Sequence, residues 1–177
     1  MSAKKSVRFH IIFLVATALL LGLDQYTKYL AVLHLKDQPK VSLIEDVFCL
    51  QYLENRGAAF GMLQGQKVWF VILTLLFFAL AWWIYHKTPL VKKNYFIFIV
   101  LSLLLAGAAG NFIDRITRNY VVDFFYFEWI NFPIFNVADI YVTCSIVLLL
   151  IFFLFVYKED DFELLWSQIF SSGKGNS

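Results

Sequence analysis

The chain has 177 residues, of which 60% are hydrophobic and 16% are charged, and its formal net charge is +2. Soluble domains are about 45–50% apolar and about 25% charged, so this composition indicates a membrane protein. The small net charge gives no sign of a nucleic-acid partner. The three histidines are scattered without the spacing of metal ligands, which argues against a zinc site.

Four long apolar segments are candidates for membrane-spanning helices, because about 20 mainly apolar residues cross a bilayer. No proline interrupts them, and Pro39, Pro89 and Pro133 all fall between them. We therefore predict an all-α, polytopic membrane protein with one domain over residues 1–177. The spans cover about residues 9–30, 68–85, 95–113 and 137–157.

Basic residues flank the spans unevenly and predict the orientation of the chain. They precede the first span (Lys4, Lys5 and Arg8) and separate the second span from the third (Lys87, Lys92 and Lys93). By the positive-inside rule both groups lie in the cytoplasm, as do both termini. The start resembles an export signal, but its apolar run ends in Gly22-Leu23-Asp24 without a cleavage site, so we expect a retained helix.

The two outer connections, at about residues 25–67 and 114–136, have patterns of their own. Residues 41–53 are β-branched and aromatic enough to predict one or two strands. Seven of the fifteen residues from 121 to 135 are aromatic, and Tyr and Trp favour the membrane–water interface. We predict that this second connection lies on the membrane surface. The tail after Lys158 is either a short interfacial helix or irregular.

Seven polar residues lie near the outer ends of the spans. They are Asp24, Asn111, Asp114, Arg115, Asp123, Asn136 and Asp139. An ionised side chain costs about 2.5–3.5 kcal/mol at the bilayer centre and less toward the interface. Such residues therefore need a partner or a function.

Structural roles stay open for several of these residues. Asn136 is a candidate N-cap, with Asp139 three residues later near the positive end of the fourth helix. Asp24 and Lys28 have the i, i+4 spacing of a helical ion pair.

Three further residues also have a structural alternative, whereas Asp123 does not fit one. Asn111, Asp114 and Arg115 lie on one helical face and are spaced for a local hydrogen-bonded set. Asp123 differs, because its sequence neighbours are bulky and apolar and none of them is a cation. A purely structural role would make little use of it.

Asp123 and Asp139 suggest acid–base chemistry if the fold brings them together. Two close carboxylates raise each other's proton affinity and share one proton near neutral pH, as in aspartic proteases. One then activates a water while the other hydrogen-bonds the scissile carbonyl, and the pKa values belong to the pair. The sequence offers no convincing Ser–His or Cys–His alternative, and Cys49 and Cys144 are expected to be unpaired thiols.

Five short motifs, in order along the chain, resemble those of bacterial lipoprotein signal peptidases, the signal peptidase II family. They are Asp24-Gln25-Tyr26-Thr27-Lys28, Asn55-Arg56-Gly57-Ala58-Ala59-Phe60-Gly61, Gly110-Asn111-Phe112-Ile113-Asp114-Arg115, Val121-Val122-Asp123-Phe124 and Phe135-Asn136-Val137-Ala138-Asp139. Each motif is short, but all five lie on the expected sides of the expected spans. The resemblance extends over the whole chain.

The resemblance implies an aspartic endopeptidase of the bacterial cytoplasmic (inner) membrane, with its active site at the outer leaflet. It would cut diacylglyceryl-modified prolipoproteins on the N-terminal side of the lipidated cysteine, as a monomer in contact with membrane lipid and without a cofactor or metal. The catalytic residues would be Asp123 and Asp139. Asn111, Arg115 and Asn136 would be polar supports around the pair. The residues that help to shape the site would be Asp24, Lys28, Asn55 and Gly57. Asp114 would orient its neighbours.

The long outer connection would form a small β-cradle over the substrate. The chain departs from the family pattern at Ala106 and Asn119, where glycine is common, and in the Phe-Phe-Tyr after Asp123, which lacks an acidic residue that many relatives carry. Asn tolerates a left-handed backbone better than most residues, so we expect the turn at Asn119 to be kept.

Two other classes of function compete with this interpretation. The first is a transporter or proton-conducting protein, because intramembrane carboxylates also form proton relays. Its acidic residues would be expected to cross the midplane, whereas here they gather at one edge. The second is a non-catalytic scaffold with a polar edge, for which Asp139→Asn would leave any processing unchanged.

Overall fold

Four long helices carry most of the chain in the computed structural model, which describes residues 6–57 and 67–156 and positions 158, 163, 166 and 167. They are α1 (Val7–Leu35), α2 (Lys67–Lys87), α3 (Tyr95–Thr117) and α4 (Val137–Ile151), the last continued by a π-helical turn (Phe152–Val156). All four are long and apolar enough to cross a membrane. The predicted four-span architecture is confirmed, whereas residues 58–61 of the second motif and most of the predicted tail lie outside the described residues.

The central helix of the bundle is α3, which packs against α1, α2 and α4. Small residues allow the close approach of α4, because a Cβ added to Gly107 would lie only 2.7 Å from the carbonyl oxygen of Ala138. A Cβ on Gly110 would overlap the carboxylate of Asp24 on α1. Both glycines therefore serve helix packing at the end of α3 that carries the polar residues.

A three-stranded antiparallel sheet lies against the ends of α1 and α3. Its strands, in the spatial order β1-β2-β3, are β1 (Val41–Ile44), β2 (Phe48–Asn55) and β3 (Val121–Phe127). The strands predicted in residues 41–53 are confirmed. Strand β3 was not predicted, because the aromatic residues of that segment also fit an interfacial loop. The same β-branched and aromatic run also favours a strand.

The sheet presents a different set of side chains on each face, as the two-residue period of a strand requires. On one face, Val122 and Phe124 are buried against Ala31 and Leu35 of α1. The opposite face borders a cavity and carries Gln51, Leu53, Asn55, Val121 and Asp123. Because the sheet is anchored to α1, the position of Asp123 is determined by the apolar face beneath it.

The segment after β3 returns the chain to the bundle. A short 3₁₀ helix, Glu128–Ile130, is followed by Asn131 in a left-handed conformation (φ 49°). Trp129, Ile130 and Phe132 are exposed. Their position at a membrane surface stays a prediction. Asn119, just before β3, also has a positive φ of 67°, as expected for a residue that replaces glycine in this turn.

The packing of Gly107 leads to a stability prediction with an internal control. Gly107→Ala should lower the free energy of unfolding by about 1–3 kcal/mol, because its Cβ has no room against the backbone of α4. Gly22→Ala, with no atom within 4 Å of the added Cβ, should instead raise it by about 0.5–1 kcal/mol. Thermal unfolding of both variants in the same detergent tests this, and equal effects would contradict the packing described.

Candidate active site

Asp123 lies at the centre of the cavity face of the sheet. Its side chain is wholly buried, with 1% of its surface exposed. The Nδ2 atoms of two asparagines donate hydrogen bonds to its oxygens, from Asn136 to Oδ1 at 2.6 Å and from Asn55 to Oδ2 at 2.8 Å. Among the described residues, the carboxyl group thus has two amide donors and no paired cation.

Asp139 occupies the third position of α4 and completes a capping box. The Asp139 backbone N–H donates to Oδ1 of Asn136 at 3.1 Å, and the Asn136 backbone N–H donates to Oδ2 of Asp139 at 3.1 Å. The remaining oxygen of Asp139 accepts a hydrogen bond from Nδ2 of Asn111 at 2.9 Å. The N-cap that the sequence suggested at Asn136 is therefore present. The half-buried carboxylate of Asp139 also lines the cavity.

Amide side chains connect the two carboxyl groups. Nδ2 of Asn136, which donates to Asp123, also lies 3.2 Å from Oδ1 of Asn111, and Asn111 donates in turn to Asp139. Both carboxyl groups line one cavity of about 930 Å³. The structure therefore brings together two residues that are remote in sequence and come from β3 and α4.

Burial raises the pKa of Asp123 to about 7, and the negative charge of Asp139 contributes in the same direction. The hydrogen bonds from Asn55 and Asn136 and the positive charge of Lys28 lower it by less. Because the buried carboxyl group loses the solvation of its charged form, Asp123 retains a proton up to neutral pH.

Lys28 is a fully buried cation behind this pair. Its Nζ atom lies 3.0 Å from Oδ2 of Asp24 and 3.3 Å from Oδ2 of Asp114, and it donates to Oδ1 of Asn111 at 2.9 Å. An ammonium group has three donors and no acceptor. Because Lys28 requires Oδ1 of Asn111 as an acceptor, Nδ2 of Asn111 is the atom left to donate to Asp139.

The two carboxylates that neutralise Lys28 also hold the backbone beside each member of the pair. Asp24 accepts a hydrogen bond from the N–H of Ala138 at 2.9 Å, and Asp114 accepts one from the N–H of Val122 at 3.2 Å. Ala138 precedes Asp139 and Val122 precedes Asp123. The i, i+4 ion pair predicted for Asp24 and Lys28 is thus present, and it belongs to a larger buried network.

Arg115 connects the site to the start of the β2–α2 connection. Its guanidinium group donates to the carbonyl oxygens of Asn111 at 3.2 Å and of Gly57 at 3.3 Å. It also lies 4.4 Å from the centre of the Phe70 ring on α2, a cation–π distance. The N–H of Gly57 donates to Oδ1 of Asn55 at 3.0 Å, which leaves the Asn55 amide N–H groups for Asp123.

Some of these contacts were not anticipated from the sequence. Asn111, Asp114 and Arg115 do not form a closed local set, since Asp114 pairs with Lys28 and lies 3.6 Å from Nε of Arg118. Gln25, inside the first motif, donates to Asp24 at 3.1 Å and was not singled out. Nothing in the sequence marks Phe70. Within residues 6–57 and 67–156, no three His, Cys, Asp or Glu side chains group as metal ligands.

The buried network leads to a second stability prediction. Lys28→Met should lower the free energy of unfolding by about 3–5 kcal/mol, because two buried carboxylates lose their cation. Lys36→Met removes an ion pair with Glu54 in which both side chains are partly exposed, so little change is expected. Thermal unfolding compares the two variants, and a Lys28→Met protein as stable as Lys36→Met would show that the network adds no stability.

Comparison with known proteins assigns a family to this arrangement. Residues 16–155 match the family described as signal peptidase (SPase) II. The lipoprotein signal peptidase of Streptococcus thermophilus (strain CNRZ 1066) is 42% identical over 147 residues, which are 83% of this chain and 93% of that protein. The protein of the same name from Streptococcus pneumoniae (strain ATCC BAA-255 / R6) is 42% identical over 137 residues, 77% of this chain and 88% of that protein.

A solved structure shares the fold. A bacterial membrane enzyme determined by the in meso method at 2.3 Å resolution superposes with a TM-score of 0.75 at 31% identity, over 90% of this chain and 97% of that one. Both comparisons agree with the membrane protein that the four candidate spans indicate. The chain therefore belongs to the signal peptidase II family of lipoprotein signal peptidases, and it is an aspartic-type peptidase of a bacterial membrane.

Proposed function

We propose that the protein removes the signal peptide from diacylglyceryl-modified prolipoproteins, cutting on the N-terminal side of the lipidated cysteine with Asp123 and Asp139. The observation that carries this proposal is the pair of carboxyl groups, joined through Asn136 and Asn111, in the wall of one cavity. Membership of the family supports the substrate class. The geometry supports the choice of the two residues.

The environments of the two carboxyl groups suggest different roles. Asp123 is wholly buried and has a raised pKa of about 7, so it holds the shared proton. Asp139 is half-buried at the start of α4, where its Oδ2 atom accepts a hydrogen bond from the backbone N–H of Asn136. Asp139 is then the general base, and Asp123 is the acid that hydrogen-bonds the scissile carbonyl oxygen.

The reaction follows from these protonation states. Asp139 takes a proton from a water whose oxygen bonds to the carbonyl carbon, while Asp123 donates to the developing oxyanion. As the tetrahedral intermediate collapses, the C–N bond breaks and Asp139 passes the proton that it took from the water to the leaving nitrogen of the lipidated cysteine. Asp123 regains its own proton as the C=O bond re-forms. The products are a new carboxyl group on the signal peptide and a free amine on the lipoprotein.

The supporting residues act through the pair. Asn55, Asn111 and Asn136 present N–H groups to the carboxyl oxygens and so hold them in place. Arg115 ties the carbonyl of Gly57 to α3, which positions the turn that orients Asn55. In this proposal Asp24, Lys28 and Asp114 position the backbone next to the catalytic residues.

The location of the site suits a substrate held in the membrane by lipid. The cavity lies at the end of the bundle covered by the sheet, away from the basic residues Arg8, Lys87, Lys92 and Lys93. We therefore place it at the outer leaflet, with both termini in the cytoplasm. Because both carboxyl groups and their amide donors come from a single chain, the proposal needs only a monomer.

Removing either carboxylate tests the catalytic pair. Asp123→Asn and Asp139→Asn should each reduce cleavage of a purified diacylglyceryl-modified precursor by several orders of magnitude, and the double variant should lose little more, because the pair acts as a unit. Asp46→Asn is the matched control, since Asp46 is exposed in a turn outside the cavity. Near wild-type cleavage by either single variant, with correct folding, would refute the pair.

The pH dependence tests the shared proton. Because the pKa of Asp123 is about 7, kcat/KM should fall as the pH rises through that value and the proton is lost. Asn55→Ala removes a hydrogen bond that favours the ionised form, so the fall should move to higher pH. The pH profile of kcat/KM is the measurement. A fall that moves to lower pH in the variant would contradict this account.

A further inference from the structure

The cavity continues beyond the carboxyl pair along one face of α4. This face carries Asp139, Ile140, Thr143 and Cys144, all of which line the cavity. Thr143 follows Asp139 by four residues, so it lies on the same side of the helix and about 6 Å further along its axis. This part of the cavity wall therefore lies at a greater membrane depth than the pair.

The hydroxyl of Thr143 differs from the other serine and threonine hydroxyls of the four helices. Thr17, Thr74 and Ser145 each donate to the backbone carbonyl four residues earlier, at 2.9, 2.7 and 2.7 Å. Thr117 does the same at 2.8 Å. Thr143 is exposed, and within the described part of the chain its hydroxyl has no hydrogen-bond partner.

An unpaired hydroxyl at this depth calls for a partner. Outside water, a hydroxyl that lacks a hydrogen bond is costly, and a threonine in a helix has a low-energy rotamer that would bond its own backbone. On α4 itself, the other residues that line the cavity beyond Asp139 are Ile140, Val142 and Cys144. The hydroxyl is thus the strongest hydrogen-bond donor that α4 presents to the cavity beyond Asp139.

We propose that the Thr143 hydroxyl binds the substrate by donating a hydrogen bond to a carbonyl oxygen just below the scissile bond. The inference rests on the proposed function, because that function places a lipid-anchored peptide in the cavity. Two carbonyl sources lie at this depth, the glyceryl esters of the lipid and the main chain of the signal peptide. An ester carbonyl is only an acceptor, and the carbonyls at the end of a signal-peptide helix lack intrahelical donors. Either carbonyl group therefore requires a hydrogen-bond donor.

Conservative substitutions of Thr143 test the proposal. Thr143→Val keeps the shape and removes the hydroxyl, so kcat/KM for a dipalmitoylglyceryl precursor peptide should fall about 3- to 10-fold, mostly through KM. Thr143→Ser keeps the donor and should stay within about twofold of the wild type. Thr117→Val is the matched control, because Thr117 bonds its own helix outside the cavity.

A second substrate identifies the carbonyl. In a dialkyl ether analogue of the precursor, the ester carbonyls are absent while the peptide is unchanged. If Thr143 binds an ester, Thr143→Val should have no effect with the ether substrate. If it binds the peptide, the loss should be the same with both substrates.

The outcomes separate this inference from the proposed function. If the wild type cleaves the precursor and Thr143→Val matches it in kcat and KM, the Thr143 contact is wrong and the proposed function stands. A Thr143→Ser protein as impaired as Thr143→Val would also refute the hydrogen bond. If the wild type fails to cleave any lipidated precursor, the proposed function itself fails.

Discussion

The buried charge of Lys28 is the constraint on which the rest of the structure depends. An ammonium group removed from water needs an acceptor for each of its donors, and Lys28 finds them on Asp24, Asp114 and Asn111. The two carboxylates that neutralise it also hold the backbone N–H groups of Ala138 and Val122. One desolvated cation therefore ties α1 to α3 and, through its partners, to α4 and β3. The catalytic residues we propose are the next residues along these two elements.

The need of each donor for an acceptor also sets the direction of the hydrogen bonds around the proposed catalytic pair. Lys28 requires the oxygen of Asn111, the N–H of Gly57 requires the oxygen of Asn55, and the N–H of Asp139 requires the oxygen of Asn136. Each amide is left with its N–H groups facing a carboxyl oxygen. At Asp123 these donors favour ionisation, whereas burial and the charge of Asp139 oppose it and raise the pKa to about 7. In the proposed mechanism Asp123 therefore supplies the proton that the pair needs to activate a water.

Much of the fold and many of the site residues were predictable from local sequence. Apolar length identifies the four spans, and costly polar residues at their ends single out Asp123 and Asp139. Capping at Asn136 and the positive φ of Asn119 were also expected from residue type. Strand β3 was not predicted, because an aromatic run fits a strand and an interfacial loop equally well. Contacts such as that of Lys28 with Asp114 join residues far apart in sequence, and no spacing rule predicts them. The ring of Phe70 beside Arg115 depends in the same way on how α2 packs against α3.

The most direct test of the central claim is an infrared measurement of the carboxyl groups of the purified protein on either side of the Asp123 pKa. At about pH 6, the spectrum of the wild type minus that of Asp123→Asn should show one protonated carboxylic acid, and this band should vanish at about pH 8. A difference spectrum showing Asp123 ionised at both pH values would contradict the account, because the pair would then hold no proton to share.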